Sequence, residues 1–406
     1  MTYPRIHLAV DNCFASKRWT RPAEWARVIR EELGLECVEA SADNECDPLY
    51  APQDYLADWR EQVARAQATT GIRVVNLYSG HGTYATLGLG HPDERIRTHI
   101  LERWVRPMLD TAGALGAGLG FFAHAFDQAT LGDRTQYGTA YADLVGMFSD
   151  IAAYAASRGV ATVAVEQMYS PHQVPWTIGG AERLLSDVAA SGDRAPFYVT
   201  IDTGHQCAQR RYPWPTYGML KEWARGDAHH RVGRAPWLGP SSVRALVEQA
   251  CATGGAAQDA LLRQALEEAA RYPHMFASYE DGDPYVWLER LGCYSPIIHL
   301  QQTDGASSSH RAFTVEHNRN GIIDPPHVLH ALACACERSR QLTMPPPCED
   351  IYLTLEVFSG TADTPDEILA RMRESAAYWR RWVPHDGIRL DNLIDKKERE
   401  HARTAA

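Results

Sequence analysis

The chain has no CxxC pair, no glycine-rich fingerprint after its first strand-like run, no apolar stretch of membrane-spanning length and no excess of basic charge. Each absence removes a class. The nine cysteines are scattered, and the closest pair, Cys334 and Cys336, sits in the run His330-Ala-Leu-Ala-Cys-Ala-Cys. A buried helix explains that spacing better than a zinc site. Without GxGxxG after Arg5–Val10, a dinucleotide-binding fold loses its main support. No apolar stretch spans a bilayer and no signal-like segment precedes Arg5, so the expectation is a cytoplasmic protein with no membrane partner. A formal charge of −11 argues against a nucleic-acid surface, which needs clustered Lys and Arg to release counterions. It leaves room for a small anion held by a local arginine.

What is present is alternation. Strand-like runs occur at Arg5–Val10, Glu36–Ala40, Arg73–Tyr78, Gly120–Phe126, Ala161–Val165, Phe197–Ile201, Pro296–Leu300 and Ile351–Leu355. Helix-like stretches lie between them, among them Pro22–Leu33, Ile96–Leu115, Thr139–Ser157, Ala181–Ala190, Pro284–Leu291, Pro325–Arg338 and Pro365–Trp382. Several begin with helix-start punctuation, such as Asp324-Pro and Thr364-Pro. Eight strand–helix alternations without hairpin turns read as parallel βα units, either two doubly wound domains or one closed (β/α)8 TIM barrel. The barrel is preferred, because polar residues mark the ends of the later strands, where such barrels build active sites. The expected organisation is one barrel over residues 1–385 with an insertion after strand six at about 207–279. A charged tail follows at 386–406. The insertion holds the basic, His-rich patch Asp227-Ala-His-His-Arg-Val-Gly-Arg and reads equally as a lid or as a homo-oligomer contact.

The strand ends carry the chemistry. Ala161-Thr-Val-Ala-Val is followed by Glu166, and Phe197-Tyr-Val-Thr-Ile by Asp202 with His205 close behind. Pro296-Ile-Ile precedes His299, and Ile351-Tyr-Leu-Thr-Leu precedes Glu356. A carboxylate ending an apolar strand is costly unless paired. Taken singly, Glu166 reads as a buried ion-pair partner, Asp202 as a loop cap and His299 as a core histidine. Together they offer oxygen and nitrogen ligands for one divalent metal.

Val-Glu at strand five, Asp-x-Gly-His at strand six, His-Leu-Gln-Gln-Thr-Asp at strand seven and Leu-Glu at strand eight resemble the xylose isomerase-like TIM barrel superfamily. Asn320-Gly-Ile-Ile-Asp-Pro-Pro-His-Val-Leu-His-Ala-Leu is similar to that group's loop entering helix seven. The likeness spans residues 5 to 382 as architecture, with its motifs within 160–360. It implies a sugar or sugar-phosphate isomerase or epimerase. Its ketose 3-epimerase branch implies that Glu166, Asp202, His299 and Glu356 hold one divalent ion (Mn, Mg, Co or Zn), with His205 on substrate hydroxyls. Arg311 stands where a substrate-binding arginine is expected, although Ala306-Ser-Ser-Ser-His intervenes. Met168-Tyr-Ser-Pro-His-Gln-Val-Pro-Trp176 and the Arg210-Arg211 pair resemble the tetrulose-phosphate epimerase branch, whose substrate is an erythrulose phosphate.

The chemistry is consistent with the resemblance. A metal can stabilise the enediolate formed beside a ketose carbonyl. Two glutamates can exchange the proton, Glu166 and Glu356 acting as base and acid. His81 after strand three and His124 near the end of strand four are further candidates for sugar hydroxyls. His310, Arg311 and the backbone of Ser307–Ser309 are candidates for a phosphate. Two other readings share this pattern: a metal-dependent dehydratase of a polyol or inosose, and a non-catalytic sugar-binding barrel.

Overall fold

A computed structural model describes residues 3–79, 86–123, 126–191, 196–225, 236–338 and 343–394. Eight parallel strands close on themselves: β1 Arg5–Asp11, β2 Cys37–Ser41, β3 Arg73–Ser79, β4 Gly118–Phe121, β5 Val163–Glu166, β6 Phe197–Asp202, β7 Ile297–Leu300 and β8 Asp350–Leu355. Each pairs with its sequence neighbours, and β1 closes the ring against both β8 and β2. This is the (β/α)8 barrel. Parallel closure puts every strand C-terminus on one face, so residues ending different strands meet there. The β6–β7 pairing sets Asp202 directly beside His299.

Strand four is shorter than the apolar run suggested and starts two residues earlier, at Gly118. Its glycines look like loop residues but serve packing. A Cβ on Gly118 would lie 2.4 Å from Thr162 Oγ1 and 2.6 Å from Asn76 Oδ1. Both His124 and His81 fall outside the described residues.

Connecting helices cover the barrel and bury their apolar stripes. Gln53–Thr70, between β2 and β3, buries Leu56, Trp59, Val63 and Ala66 at helical spacing and ends on Gly71 at φ 76°. A second correction concerns the C-terminus, because composition assigned everything after residue 385 to a tail. Instead, Ile388–Arg389 forms a short strand, β9, antiparallel to the start of β1. Leu390 and Ile394 are buried there, and Asp386 accepts from the Leu8 N–H while pairing with Arg380. Apolar residues at 388, 390, 393 and 394 override the charged composition. Residues 395–406 lie outside the described part.

Between β6 and β7 the chain forms helices Tyr217–Ala224, Ser241–Cys251 and Gly255–Ala269, then Pro284–Leu291 against the barrel. The first three pack on one another. Their return to the barrel is anchored by the Trp176 indole N–H donating to the His274 carbonyl at 3.1 Å and by Trp214 stacked on Phe276. The His-rich patch at 227–234 lies outside the described residues. Among the described residues, no helix is long and apolar enough to cross a membrane.

One buried carboxylate ties the upper rim together. Glu45, just after β2, accepts from the indole N–H of both Trp25 and Trp59 at 2.8 Å and from Asn12 Nδ2 at 2.7 Å. Burial raises its carboxyl to about 7 despite these three donors. Glu45→Ala leaves two buried indole N–H groups without an acceptor, each costing about 1–3 kcal/mol. Urea unfolding is expected to show a loss of roughly 3 kcal/mol or more on that arithmetic. An unchanged midpoint would mean that water replaces the carboxylate at no cost.

Candidate metal centre

Glu166, Asp202, His299 and Glu356 meet at the barrel mouth, buried, with one ligand atom from each within 4.8 Å of the others. Glu166 ends β5, Asp202 ends β6, His299 lies in β7 and Glu356 follows β8. His299 Nδ1 lies 2.9 Å from Glu166 Oε1 and 3.4 Å from Glu356 Oε2. Its other ring nitrogen, Nε2, is 2.8 Å from Glu39 Oε2 on β2. Glu39 is itself fixed by the Asn76 Nδ2 amide, 2.6 Å from Oε1. A carboxylate accepts and does not donate, so Glu39 assigns a proton to Nε2 and turns Nδ1 toward the three acidic ligands.

Asp202 is oriented by its own motif. Its Oδ1 accepts from the backbone N–H of Gly204 at 2.6 Å and of His205 at 3.0 Å. Gln301 Nε2 donates to both carboxylate oxygens, at 2.8 and 3.0 Å. Gly204 is required by this contact, because a Cβ there would lie 2.4 Å from Gln301 Cδ. Gln301 Oε1 in turn accepts from the N–H of Ser309 and of His310, and so holds His310 at φ 44°. Gly204→Ala therefore displaces Gln301 and, with it, Asp202 and the strand-seven loop. A 10–100-fold weaker metal affinity is the expected result, read by calorimetric titration with Mn²⁺. Unaltered affinity would show that Gln301 does not orient Asp202.

The electrostatics match a cationic occupant. Burial lowers the His299 imidazole, but the charges of Glu356 and Glu39 and the hydrogen bonds to Glu166 and Glu39 outweigh it and raise it well above its ordinary value. His310 follows the same logic, raised to about 9 by Glu356 and Asp202 against the effect of burial. Burial raises Glu356, opposed by His299 and His310. Asp202 is pulled down to about 2, because His205, His310, His299 and Gln301 outweigh its desolvation. Asp11, at the end of β1, is raised well above the carboxylate range by burial and by Glu39 and Glu356. Glu356 Oε2 is buried with no close hydrogen-bond partner among the described residues, the nearest ring nitrogens of His310 and His299 lying at 3.3 and 3.4 Å. Carboxylates outnumber imidazoles here. A divalent ion offsets that excess and competes with the Nδ1 proton of His299, so the residues fit such an ion.

Above the cluster lies a cavity of about 580 Å³. Its walls include Glu166, Glu356, His205, His310, Tyr78 and Tyr169, together with Asp11, Asp43, Asn44 and several serines. His205 Nδ1 donates to the Gln167 carbonyl at 2.7 Å, and the ring lies against Tyr169, with centroids 3.9 Å apart. His310 stacks on Phe358. Arg311 is not brought in. Its guanidinium pairs with Asp304 at 3.1 Å on the half-exposed rim, because a bridge between Gln302 and Arg311 turns the strand-seven loop back on itself. Tyr78, whose O–H donates to Glu166 Oε2, was absent from the expected set, as were Glu39 and Asp11. Asp11 obeys the same strand-end rule as the four ligands and could have been found by it. Tyr78 reads as an ordinary strand residue.

A closed parallel barrel with an acidic and imidazole cluster at its C-terminal mouth that could hold a metal ion is a TIM-barrel enzyme scaffold. Residues 29–234 match the family model described as xylose isomerase-like TIM barrel, and the chain belongs to that family. A curated relative, the D-erythrulose 1-phosphate 3-epimerase of Brucella abortus (strain 2308), is 22% identical over 324 residues, 79% of this chain and 78% of the relative. Among solved structures, a protein of Rhodospirillum rubrum assigned as a candidate xylose isomerase is similar, with a TM-score of 0.65 at 18% identity, covering 93% of this chain and 99% of the other. An L-ribulose 3-epimerase aligns with a TM-score of 0.53 at 12% identity, covering 98% and 96%.

Proposed function

We propose that the protein is a divalent-metal-dependent epimerase or isomerase of a ketose or ketose phosphate, with an erythrulose phosphate the favoured substrate. The observation that carries this reading is the pair Glu166 and Glu356. They reach the cavity from β5 and β8 and flank the same nitrogen of His299. The curated relative supports the choice of substrate. Glu166, Asp202, His299 and Glu356 would hold the ion (Mn, Mg, Co or Zn), which would supply Lewis-acid polarisation of the substrate's carbonyl and neighbouring hydroxyl oxygens.

The chain's own groups do the rest. One glutamate takes the proton from the carbon next to the carbonyl and the other returns it on the opposite face, which inverts the centre. The Tyr78 hydroxyl fixes the plane of the Glu166 carboxylate by donating to Oε2. His205 spends its Nδ1 proton on the Gln167 carbonyl, which leaves Nε2 to meet a sugar hydroxyl. The serines of the strand-seven loop offer donors to the far end of the substrate. Arg311 would have to leave Asp304 to join them.

Incubation with Mn²⁺ and either D-erythrulose 1-phosphate or unphosphorylated ketoses, followed by NMR of the products, tests the reading. The expected product is the epimer at carbon three, with the phosphate ester turned over faster. Loss of water to a deoxy-dicarbonyl product would replace the epimerase with a dehydratase. Tight sugar binding without any conversion would make the barrel a binding protein.

A further inference from the structure

A second polar cleft, of about 380 Å³, lies outside the metal cavity and takes no part in the chemistry above. Three arginines from separate segments line it: Arg134 at the start of helix Arg134–Arg158, Arg183 in helix Ile178–Ala189, and Arg271 on the return of the insertion. In a chain of net charge −11, three guanidiniums on one small cleft are a local reversal of sign. Their partners are few. Arg183 uses Nε toward Asp187, already bonded by the Tyr141 hydroxyl, and lies over the Tyr141 ring at 4.8 Å. Arg271 meets Glu268, which also accepts from Ser242. Among the described residues Arg134 makes no hydrogen bond or ion pair, so guanidinium N–H groups remain for a ligand.

The floor adds donors of a different kind. Helix Ile178–Ala189 opens into the cleft with Gly179 and Gly180. Thr177 Oγ1 caps the Gly180 N–H and Asp281 accepts from the Ile178 N–H, which leaves the Gly179 N–H without a protein acceptor among the described residues. A Cβ at Gly179 would meet nothing within 4 Å, so the backbone itself is open to a ligand. One wall is flat, with His274 stacked on Tyr137 at 3.7 Å. Planar donors, an open helix start and an aromatic wall suit a phosphate group carried on a small molecule.

We infer that this cleft is a binding site for phosphate or a small phosphate monoester, separate from the metal centre. The two cavities are divided by a single loop. Met168 and Tyr169 face the metal cavity, Val174–Thr177 face the cleft, and the Met168 N–H donates to the Pro175 carbonyl across it. Neither the metal ligands nor the proton-transfer pair enters this inference, so it stands or falls independently of the proposed reaction.

Calorimetric titration of the full chain at low ionic strength, where exposed guanidiniums are least screened, tests it. The probes are inorganic phosphate and glycerol 3-phosphate, which carries no ketone. The expected result is one saturable site per chain with a dissociation constant at or below about 1 mM for the tighter probe. The tighter of the two identifies free phosphate or an ester as the occupant. R134Q and R183Q are each expected to weaken binding by roughly tenfold, and R183K by less, because it keeps the charge without the fork. Both positions are exposed, and the thermal midpoint of each variant reports whether the fold is kept. Unchanged binding in both R134Q and R183Q would place the anion elsewhere and overturn the inference. A non-saturating response to both probes would overturn it as well.

Discussion

Glu166→Gln and Glu356→Gln are each expected to reduce turnover by about a thousandfold or more while the barrel stays folded, in the range seen for loss of a general acid or base. The substitutions are isosteric, and both side chains are already buried among polar groups, so packing changes little. What changes is charge and basicity. At position 166 the amide still meets the Tyr78 hydroxyl, which can reverse its hydrogen bond, but it cannot take a proton from carbon. At position 356 it removes the carboxylate oxygen that has no hydrogen-bond partner and sits 3.3 Å from His310. Circular dichroism and the thermal midpoint report the fold, and solvent-proton exchange into the ketose reports the chemistry. Near-normal exchange in either variant would take that glutamate out of the proton-transfer pair. Both residues are also proposed ligands, so metal content is measured alongside. A variant that still binds Mn²⁺ but exchanges no proton separates the two duties.

Glu39→Gln is expected to weaken metal affinity by about 10–100-fold without touching the ion directly. The carboxylate holds the Nε2 proton of His299 at 2.8 Å, and its charge makes the ring a stronger donor through Nδ1. The amide can still accept from Nε2, so the ring keeps its orientation and loses only the charge behind it. Asn76, which donates to Glu39 Oε1 at 2.6 Å, then faces the new amide NH2 and accepts from it once its own amide is turned over. Competition for Mn²⁺ against a chromogenic chelator gives the affinity. An affinity equal to that of the unaltered chain would make Glu39 a buried structural carboxylate and nothing more.

The strand-end residues were legible for a physical reason. An apolar run that ends in Glu, Asp or His spends burial energy on a polar group, and parallel closure gathers such ends at one mouth. Glu166, Asp202, His299 and Glu356 follow that rule. Glu39 escaped it because Cys-Val-Glu-Ala-Ser alternates like any strand, and the sequence does not say which face of β2 points into the barrel. Tyr78 was hidden in the same way, and its partner Glu166 lies 88 residues away. The family resemblance implies Arg311 near substrate, but the bridge between Gln302 and Arg311 decides where the side chain goes, and that needs three dimensions. The packed segment at 386–394 was concealed by its charged neighbours. For Glu39, Tyr78 and the 386–394 segment, a contact between distant segments, absent from local pattern, makes the difference.

The most direct test of the account is deuterium entry from D₂O into a ketose or ketose phosphate at the carbon beside the carbonyl, followed by NMR with Mn²⁺ present and again after chelation. The exchange is expected to require the metal, to accompany inversion at carbon three, and to disappear in E166Q and E356Q. Inversion without deuterium entry, or exchange indifferent to chelation, would contradict it.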